Sequence, residues 1–519
     1  MNQFFWTIIY LKASQIIYRI YYRLKRFKSV NDKLIYHYRP SIIFHNHIKH
    51  RKSLIRPFKF EFLNQEFEFL SGINWNHSNN GKLWAYNLNY FDFLIQENIS
   101  KHDGLLLIED FIKKYPDIKE GKDPYPISLR TINWIKFITL NKIKCKSIDK
   151  HLFLEVNLLS KNIEYHILGN HILENGFSLL FGAYYFKEHR FYKKAKKIIS
   201  KELDRQILQD GGHFELSPMY HNILLHRVLD SINLIRLNDW KKDELLIILE
   251  KKAELMISWI SKIGFKNGDI PMVNDSAYNI SPGTKELLEY AEVLEIKKKD
   301  VHLRDSGYRK LLLQNFELFI DVGGIKANYQ PGHSHSDIFN FILYKDNKPL
   351  IVDVGVSTYN DNQRRYFERS TAAHNTICIE NINPIEVWSS FRVGKRAKVN
   401  IHSESNHHVS ASHNGYKHLG ITHIREFSKK ENSFIILDKL VGKKDKLATA
   451  LIHFHPSLKN IKLDKNKVFI ESAGFNLEIE GGIKEISLEP YEIASGFNLL
   501  QEAKCLKVDF INQIQTSIH

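Results

Sequence analysis

From about residue 85 to 300, apolar residues recur at three- and four-residue spacing in segments of helix length: Leu152 to Leu168, Gly176 to Phe186, Phe191 to Leu208, His221 to Leu237 and Asp243 to Ile263. Gly and Pro punctuate the connections, as in Gln209-Asp210-Gly211-Gly212 and Gly268-Asp269-Ile270-Pro271. Such a succession of antiparallel helix pairs reads as a helical toroid or array. Beyond about residue 300 the period shortens. Leu311 to Val322, Phe339 to Tyr344, Pro349 to Val354, Thr376 to Ile379, Phe434 to Leu437, Ala448 to Phe454 and Lys467 to Glu471 read as short strands, separated by polar turns such as Lys345-Asp346-Asn347-Lys348. Helices followed by strands predict two domains rather than one interleaved sheet, the second a β-sandwich. No long low-complexity linker separates the halves, which predicts a tight interface.

A third pattern opens the chain. Phe4, Phe5, Trp6, Ile8, Ile9, Tyr10 and Leu11 form an apolar run, and Ile16, Ile17, Tyr18, Tyr21 and Tyr22 follow among Arg19, Arg23, Lys25 and Arg26. No basic residue precedes the run and no small-residue cleavage site follows it, unlike a standard secretory signal. The run is too short and too interrupted to span a bilayer. Either a basic amphipathic helix on a membrane surface or an ordinary docking helix fits. The expected division is 1–40 for this segment, 41–300 for the helical domain and 301–519 for the strands.

Composition narrows the class of partner. The 519 residues carry a formal charge of +16, which favours polyanions such as acidic polysaccharide, nucleic acid or anionic lipid. No recognition helix, finger spacing or RNP-type motif appears, so nucleic acid is not the expected partner. Cys145, Cys378 and Cys505 are scattered and odd in number, and supply neither a disulfide framework nor a thiolate metal site. The stock of Phe and Tyr would serve either as core or as flat faces for sugar rings.

The densest chemistry lies in Gly332-His333-Ser334-His335-Ser336-Asp337, followed by Asp353 and His374-Asn375-Thr376. On neighbouring strands, His335, Asp353 and His374 would offer three ligands of a tetrahedral metal site, with His333 beside them. A metal-free hydrogen-bond cluster of the same residues is the alternative. Upstream, Leu168-Gly169-Asn170-His171-Ile172-Leu173-Glu174-Asn175-Gly176 places polar groups at a helix N-terminus, where anions bind. Asp210-Gly211-Gly212-His213-Phe214-Glu215-Leu216-Ser217-Pro218-Met219-Tyr220-His221 feeds Tyr220 into the next helix. Taken alone, Asn170 reads equally as a helix cap and Tyr220 as a buried phenol. Together they suit a uronic acid polymer: donors such as Asn170 and His171 neutralise the carboxylate, and Tyr220 and His333 move protons at C5 and at the leaving oxygen on C4.

With these motifs stand Trp84-Ala85-Tyr86-Asn87-Leu88-Asn89-Tyr90, Tyr125-Pro126-Ile127-Ser128-Leu129-Arg130-Thr131-Ile132-Asn133-Trp134 and Arg369-Ser370-Thr371-Ala372-Ala373-His374-Asn375-Thr376. In their order and type the sequence resembles the heparinase II/III-like polysaccharide lyases, which include alginate lyase relatives. The resemblance implies an N-terminal (α/α) toroid, a C-terminal antiparallel β-sandwich and β-elimination on an acidic polysaccharide. It implies Asn170 and His171 as neutralisers, Tyr220 as acid and as base for one sugar epimer, His333 as base for the other, and Glu174 as the group orienting His171. It places Tyr86, Asn89, Tyr90, Arg130, Asn133 and Trp134 in the substrate cleft, with a buried toroid core as the other reading of these positions; Arg365 and Arg369 would either add positive charge to the cleft or brace a loop. A structural zinc on His335, Asp353 and His374 is implied as well. A uronate C5-epimerase and a non-catalytic glycan-binding protein of surface polysaccharide assembly remain as alternative functions. The family implies the bacterial periplasm or envelope, and the basic N-terminus keeps the cytoplasmic face of the inner membrane as the other expectation.

Overall fold

The computed structural model describes residues 3–24, 40–443 and 446–519, so part of the expected N-terminal segment lies outside the described residues. Two helices open it, α1 (Gln3–Ile8) and α2 (Ala13–Leu24), followed by a small antiparallel sheet of β1 (Leu54–Arg56), β2 (Lys59–Phe62) and β3 (Gln65–Glu68). The helical lobe continues through α3 (Lys82–Tyr90), α4 (Lys101–Lys114), α5 (Pro124–Leu140), α6 (Lys146–Lys161), α7 (Gly169–Phe186), α8 (His189–Gln206), α9 (Pro218–Leu237), α10 (Glu244–Ile263) and α11 (Thr284–Val293).

Residue pattern sorts these helices into two layers. In α5, α7 and α9 nearly every position is buried, whereas α6, α8 and α10 bury one stripe and turn lysines outward. A helix apolar all round must have neighbours on every side, and an amphipathic one covers them from outside. Accordingly α3, α5, α7, α9 and α11 touch in series, with α6 against α5 and α7, α8 against α7, and α10 against α9.

An antiparallel, sheet-rich lobe follows. A four-stranded sheet runs in the order β4 (Tyr308–Leu313), β5 (Phe316–Asp321), β6 (Phe341–Lys345), β7 (Lys348–Ile351). The segment Leu311 to Val322, read as one strand, is a hairpin, because Gln314 takes the left-handed turn conformation at φ 53°. After a short helix, α12 (Gln363–Arg369), come β8 (Ile377–Ile379), a ribbon of β9 (Val387–Trp388) and β10 (Arg392–Val393), and then β11 (Val399–Ser405), β12 (His408–His413), β13 (Ile421–Lys429), β14 (Phe434–Gly442), β15 (Ala448–His453), β16 (Lys462–Asp464), β17 (Lys467–Ile470), β18 (Phe475–Gly496) and β19 (Leu499–Ile518). Except for the ribbon, these last strands form one ten-stranded sheet; its main path runs β11-β12-β13-β14-β19-β18-β17-β16, and β15 joins β8 to β19.

The four-stranded sheet is covered on both faces. Leu318, Ile320, Phe341 and Leu343 enter a core shared with the ten-stranded sheet, while the alternate residues Phe319, Ile342 and Tyr344 join the core of the helical lobe. Phe265 of the helical lobe stacks on Tyr344 with ring centroids 3.7 Å apart. Each such buried ring contributes about 1.5–3 kcal/mol. The lobes are thus joined by continuous apolar packing, and the loops leaving β5 and β7 project onto the helical lobe from a fixed base.

Candidate active site

Asp275, in the loop after α10, organises the site. His333 Nδ1 lies 2.8 Å from Oδ2, His335 Nε2 lies 2.8 Å from Oδ1, and Arg365 binds both oxygens at 2.5 and 2.8 Å. Burial works against a charge here, yet the Arg365 guanidinium and the two imidazoles hold the carboxyl well below the usual range. An ionised carboxylate only accepts, so His333 donates from Nδ1 and keeps the Nε2 lone pair free for a proton.

The helical lobe brings Tyr220 against the ring and Glu215 toward that nitrogen. Glu215 Oε2 lies 3.5 Å from it, and the Tyr220 ring packs on the imidazole with centroids 4.0 Å apart. Tyr220 enters at the first turn of α9, where the Ser217 side chain caps the helix and Pro218 occupies its first position. Its hydroxyl is 3.3 Å from that of Tyr359. Burial raises the phenol above its ordinary range in spite of this partner, so the resting side chain carries its proton.

Asn170 and His171 occupy the first turn of α7. Leu168 precedes them at φ 68°, and Gly169 at φ 59° leaves room for Glu215, whose Oε1 would lie 2.4 Å from any β-carbon placed there. Asn170 is not the helix cap: its backbone N–H donates to Glu215 Oε1 at 3.0 Å from inside the first turn. Burial pushes the Glu215 carboxyl up, against the pull of His333. His171 Nδ1 meets Glu164 Oε1 at 3.0 Å, and the ring lies 4.5 Å from that of Tyr125. Burial pulls this imidazole down, but the Glu164 carboxylate outweighs it and the net shift is upward. Glu215 therefore links Asn170 to His333, Tyr220 packs on His333, and His171 follows Asn170 in the first turn of α7, which gathers the four residues between the lobes.

Several expected residues lie elsewhere. Glu174 does not orient His171; its Oε2 accepts from Arg227 Nε at 3.1 Å, and Glu164 holds the imidazole instead. Arg130 is fully buried on Glu155 and on the carbonyls of Asn89 and Gly121. Asn133 binds the Tyr90 carbonyl and Asp92, Asn89 binds the carbonyls of Trp75 and Ala85, and Trp134 is enclosed. These side chains are buried in the helical lobe, and the hydrogen bonds of Arg130, Asn133 and Asn89 run to neighbouring backbone and carboxylates. Arg365 serves Asp275, and Arg369 is buried on the carbonyls of Ser389 and Ser334. Tyr86 and Tyr90 remain beside the site, in a run of rings with Tyr125 that leads to His171.

The histidines are not on strands. Pro331 and Gly332 keep the segment between β5 and β6 irregular, and Asp353 and His374 lie in the loops after β7 and before β8. Asp275 and Asp353 meet the other ring nitrogens, and His335 Nδ1 and His374 Nε2 are left buried without partners, with the rings 5.4 Å apart. Those two donors fit a cation. Asp353 does not complete the set: its oxygens already accept from His374, Asn340 and Gly355. Among the described residues no three His, Cys, Asp or Glu groups gather around one point.

Asp275, Glu215, Glu164 and Tyr359 were not singled out from the sequence. Glu215 stands inside the motif that delivers Tyr220, and that position is the signal that would have found it. Asp275 follows Asn274, which is left-handed at φ 54° in a loop without periodicity, so nothing marks it.

Over residues 295–510 the chain matches the family described as Heparinase II/III-like, C-terminal, and over residues 127–299 the Heparinase II/III N-terminus. It is 25% identical over 312 residues to a heparin-sulfate lyase of Bacteroides stercoris, covering 54% of this chain and 44% of that protein. The fold resembles the crystal structure of heparinase III with a TM-score of 0.63 at 16% identity, covering 87% of this chain and 80% of the other. It resembles a heparan sulfate lyase from Pedobacter heparinus with a TM-score of 0.55 at 16% identity, covering 97% and 87%. At these identities the structural likeness is one of fold. The chain spans less than half the length of the curated relatives it matches.

Proposed function

The chain belongs to the heparinase II/III-like family, and from that premise we propose that it is a polysaccharide lyase that cleaves a uronate-containing acidic glycan by β-elimination. We take the two helix layers as the (α/α) toroid of that family and the two sheets sharing one core as its β-sandwich. The observation that carries the reading is the His333 imidazole, fixed by Asp275 with Nε2 3.5 Å from Glu215 and its ring packed on Tyr220, beside the helix start bearing Asn170 and His171.

A uronate C5–H is too weakly acidic to lose its proton while the adjacent carboxylate keeps its full charge. The His171 imidazolium and the Asn170 amide would share that charge by hydrogen bonds, which stabilises the carbanion-like transition state. His333 Nε2 takes the C5 proton; on the opposite epimer Tyr220 first passes its phenolic proton to His333 Nε2 and then takes the C5 proton as the phenolate. The C5–H electron pair forms the C4–C5 double bond, the C4–O4 bond breaks, and the Tyr220 hydroxyl returns a proton to O4. No water is consumed. The names of the relatives point to a sulfated glycosaminoglycan-like substrate, and the chain's net positive charge suits one. The test is the mass of the oligosaccharides released from a panel of uronate polymers. Elimination gives chains whose new ends lack one water relative to hydrolysis, and hydrolytic masses would end the reading.

The His171–Glu164 pair makes a pH prediction. His171 neutralises only while protonated, and Glu164 raises its pKa, so activity is expected to fall as pH rises through that raised pKa. Glu164→Gln removes the raising carboxylate. The alkaline limb of kcat/KM is expected to move to lower pH, with the limb set by other groups unmoved; an unchanged profile would remove His171 from this role.

We also propose a structural zinc, for which His335 Nδ1 and His374 Nε2 would be the protein donors and which would brace the loop that carries His333. No step of the reaction runs through it. Elemental analysis of the purified protein is expected to find zinc, lost in His335→Ala; a zinc-free wild-type protein with full thermal stability would contradict it.

A further inference from the structure

The first two helices cross from one lobe to the other. Thr7 Oγ1 donates to the Val393 carbonyl at 3.2 Å and accepts from Trp388 Nε1 at 3.2 Å, both in the sheet-rich lobe. The Tyr22 hydroxyl donates to the Ile163 carbonyl at 2.5 Å in the helical lobe. Between them Gln15, 3% exposed, donates to the carbonyls of both Ile167 and Tyr329 at 3.1 Å. In α2 the residues that dock are thus Gln15, Tyr18 and Tyr22, spaced to lie on one side of a helix, with Tyr18 packed on Tyr165.

The other side is apolar and faces solvent. Ile16, Ile17, Ile20 and Leu24 form a stripe along α2, and Phe5 and Ile9 do so on and just past α1. Ile17 is 62% and Leu24 77% exposed. Among the described residues, nine of the twenty-five solvent-facing large apolar side chains fall between Phe4 and Leu24, which marks this as a patch and not as ordinary scatter. Arg19 and Arg23 are exposed and border the stripe on one edge. The first 31 residues contain six Lys or Arg and no Asp or Glu.

We propose that this face lies on an anionic phospholipid bilayer, with the isoleucine stripe at the boundary between headgroups and acyl chains and Arg19 and Arg23 on the lipid phosphates. Charge selects this occupant. A second copy docked face to face would set the same arginines against each other, whereas phosphates neutralise them. No helix among the described residues is long and apolar enough to cross a membrane, so contact through this face is interfacial. Ile167 and Tyr329 lie just ahead of Asn170 and His333 in the chain. The membrane-facing helix therefore rests on both loops that carry the proposed site, and holds that site beside the bilayer.

The test is sedimentation of the full chain with vesicles of phosphatidylcholine mixed with phosphatidylglycerol, and with phosphatidylcholine alone. Binding is expected to the mixed vesicles, weaker by on the order of tenfold or more with phosphatidylcholine alone, at high salt, or in Arg19→Glu/Arg23→Glu. Ile17→Asp/Ile20→Asp is expected to abolish it while leaving the melting temperature unchanged, since both side chains face solvent. Failure of the parent protein to sediment with the mixed vesicles overturns the proposal. So does equal binding by the isoleucine variant, or a solution dimer that this variant dissolves.

Discussion

Tyr220→Phe lowers kcat on a cleaved glycan by about 10²–10⁴-fold, the range for loss of a positioned general acid or base. The change deletes one hydroxyl. Among the described residues its hydrogen-bond partner is the Tyr359 hydroxyl at 3.3 Å, and the ring that packs on His333 stays in place. KM and the unfolding temperature are therefore expected to change little, which separates a proton-transfer role from a packing one. The measurement is initial rate against glycan concentration for parent and variant. Activity within tenfold of the parent would mean that another group protonates the leaving oxygen.

Asp275→Asn is expected to destabilise the protein by about 3–5 kcal/mol, the cost of leaving a buried charge without its partner. Arg365 is fully buried, and its ion-pair partner in this site is the Asp275 carboxylate. The amide also cannot hold two imidazoles in the tautomers that free His333 Nε2 and His335 Nδ1, so activity falls with stability. The double variant Asp275→Asn/Arg365→Met removes the stranded charge. It is expected to regain much of the stability in urea unfolding but none of the activity, a split that a purely structural role would not produce. The pH dependence has a definite sign. The folded-state pKa of Asp275 lies below that of an unfolded carboxyl, so its stabilisation is complete at neutral pH and is lost only as pH falls toward the folded value.

Helices were legible wherever burial is one-sided or complete over a long stretch, as in α8 and α9. Strands were legible only where the inward positions are apolar. β13 alternates buried and half-buried positions from Ile421 to Phe427, but two of its inward residues are His423 and Arg425, both bonded to Asp438 across the sheet. That buried polar cluster erases the hydrophobic period. β18 carries charged residues over much of its length and hides its strand for the same reason. In the site, Asn170, His171, Tyr220 and His333 stood out because polar groups gather at helix starts and between glycines. Their partners did not, because Asp275 and Tyr359 reach them from distant loops that only the packed fold brings close, and Glu164, seven residues before His171, sits in an irregular segment without periodicity. The buried arginines misled in the opposite sense: Arg130 and Arg369 have the composition of a ligand clamp and the environment of a core.

The central claim is that charge neutralisation at Asn170 and His171 and proton transfer at Tyr220 and His333 together eliminate a uronic acid. Proton NMR of a uronate polymer incubated with the protein in deuterated water follows every atom of that claim. The account predicts a new vinylic C4 proton at the shortened chain end, with no solvent deuterium at C5 of uncleaved residues. Deuterium entering C5 without shortening would mean epimerisation, and shortened chains with saturated ends would mean hydrolysis; either result contradicts the account.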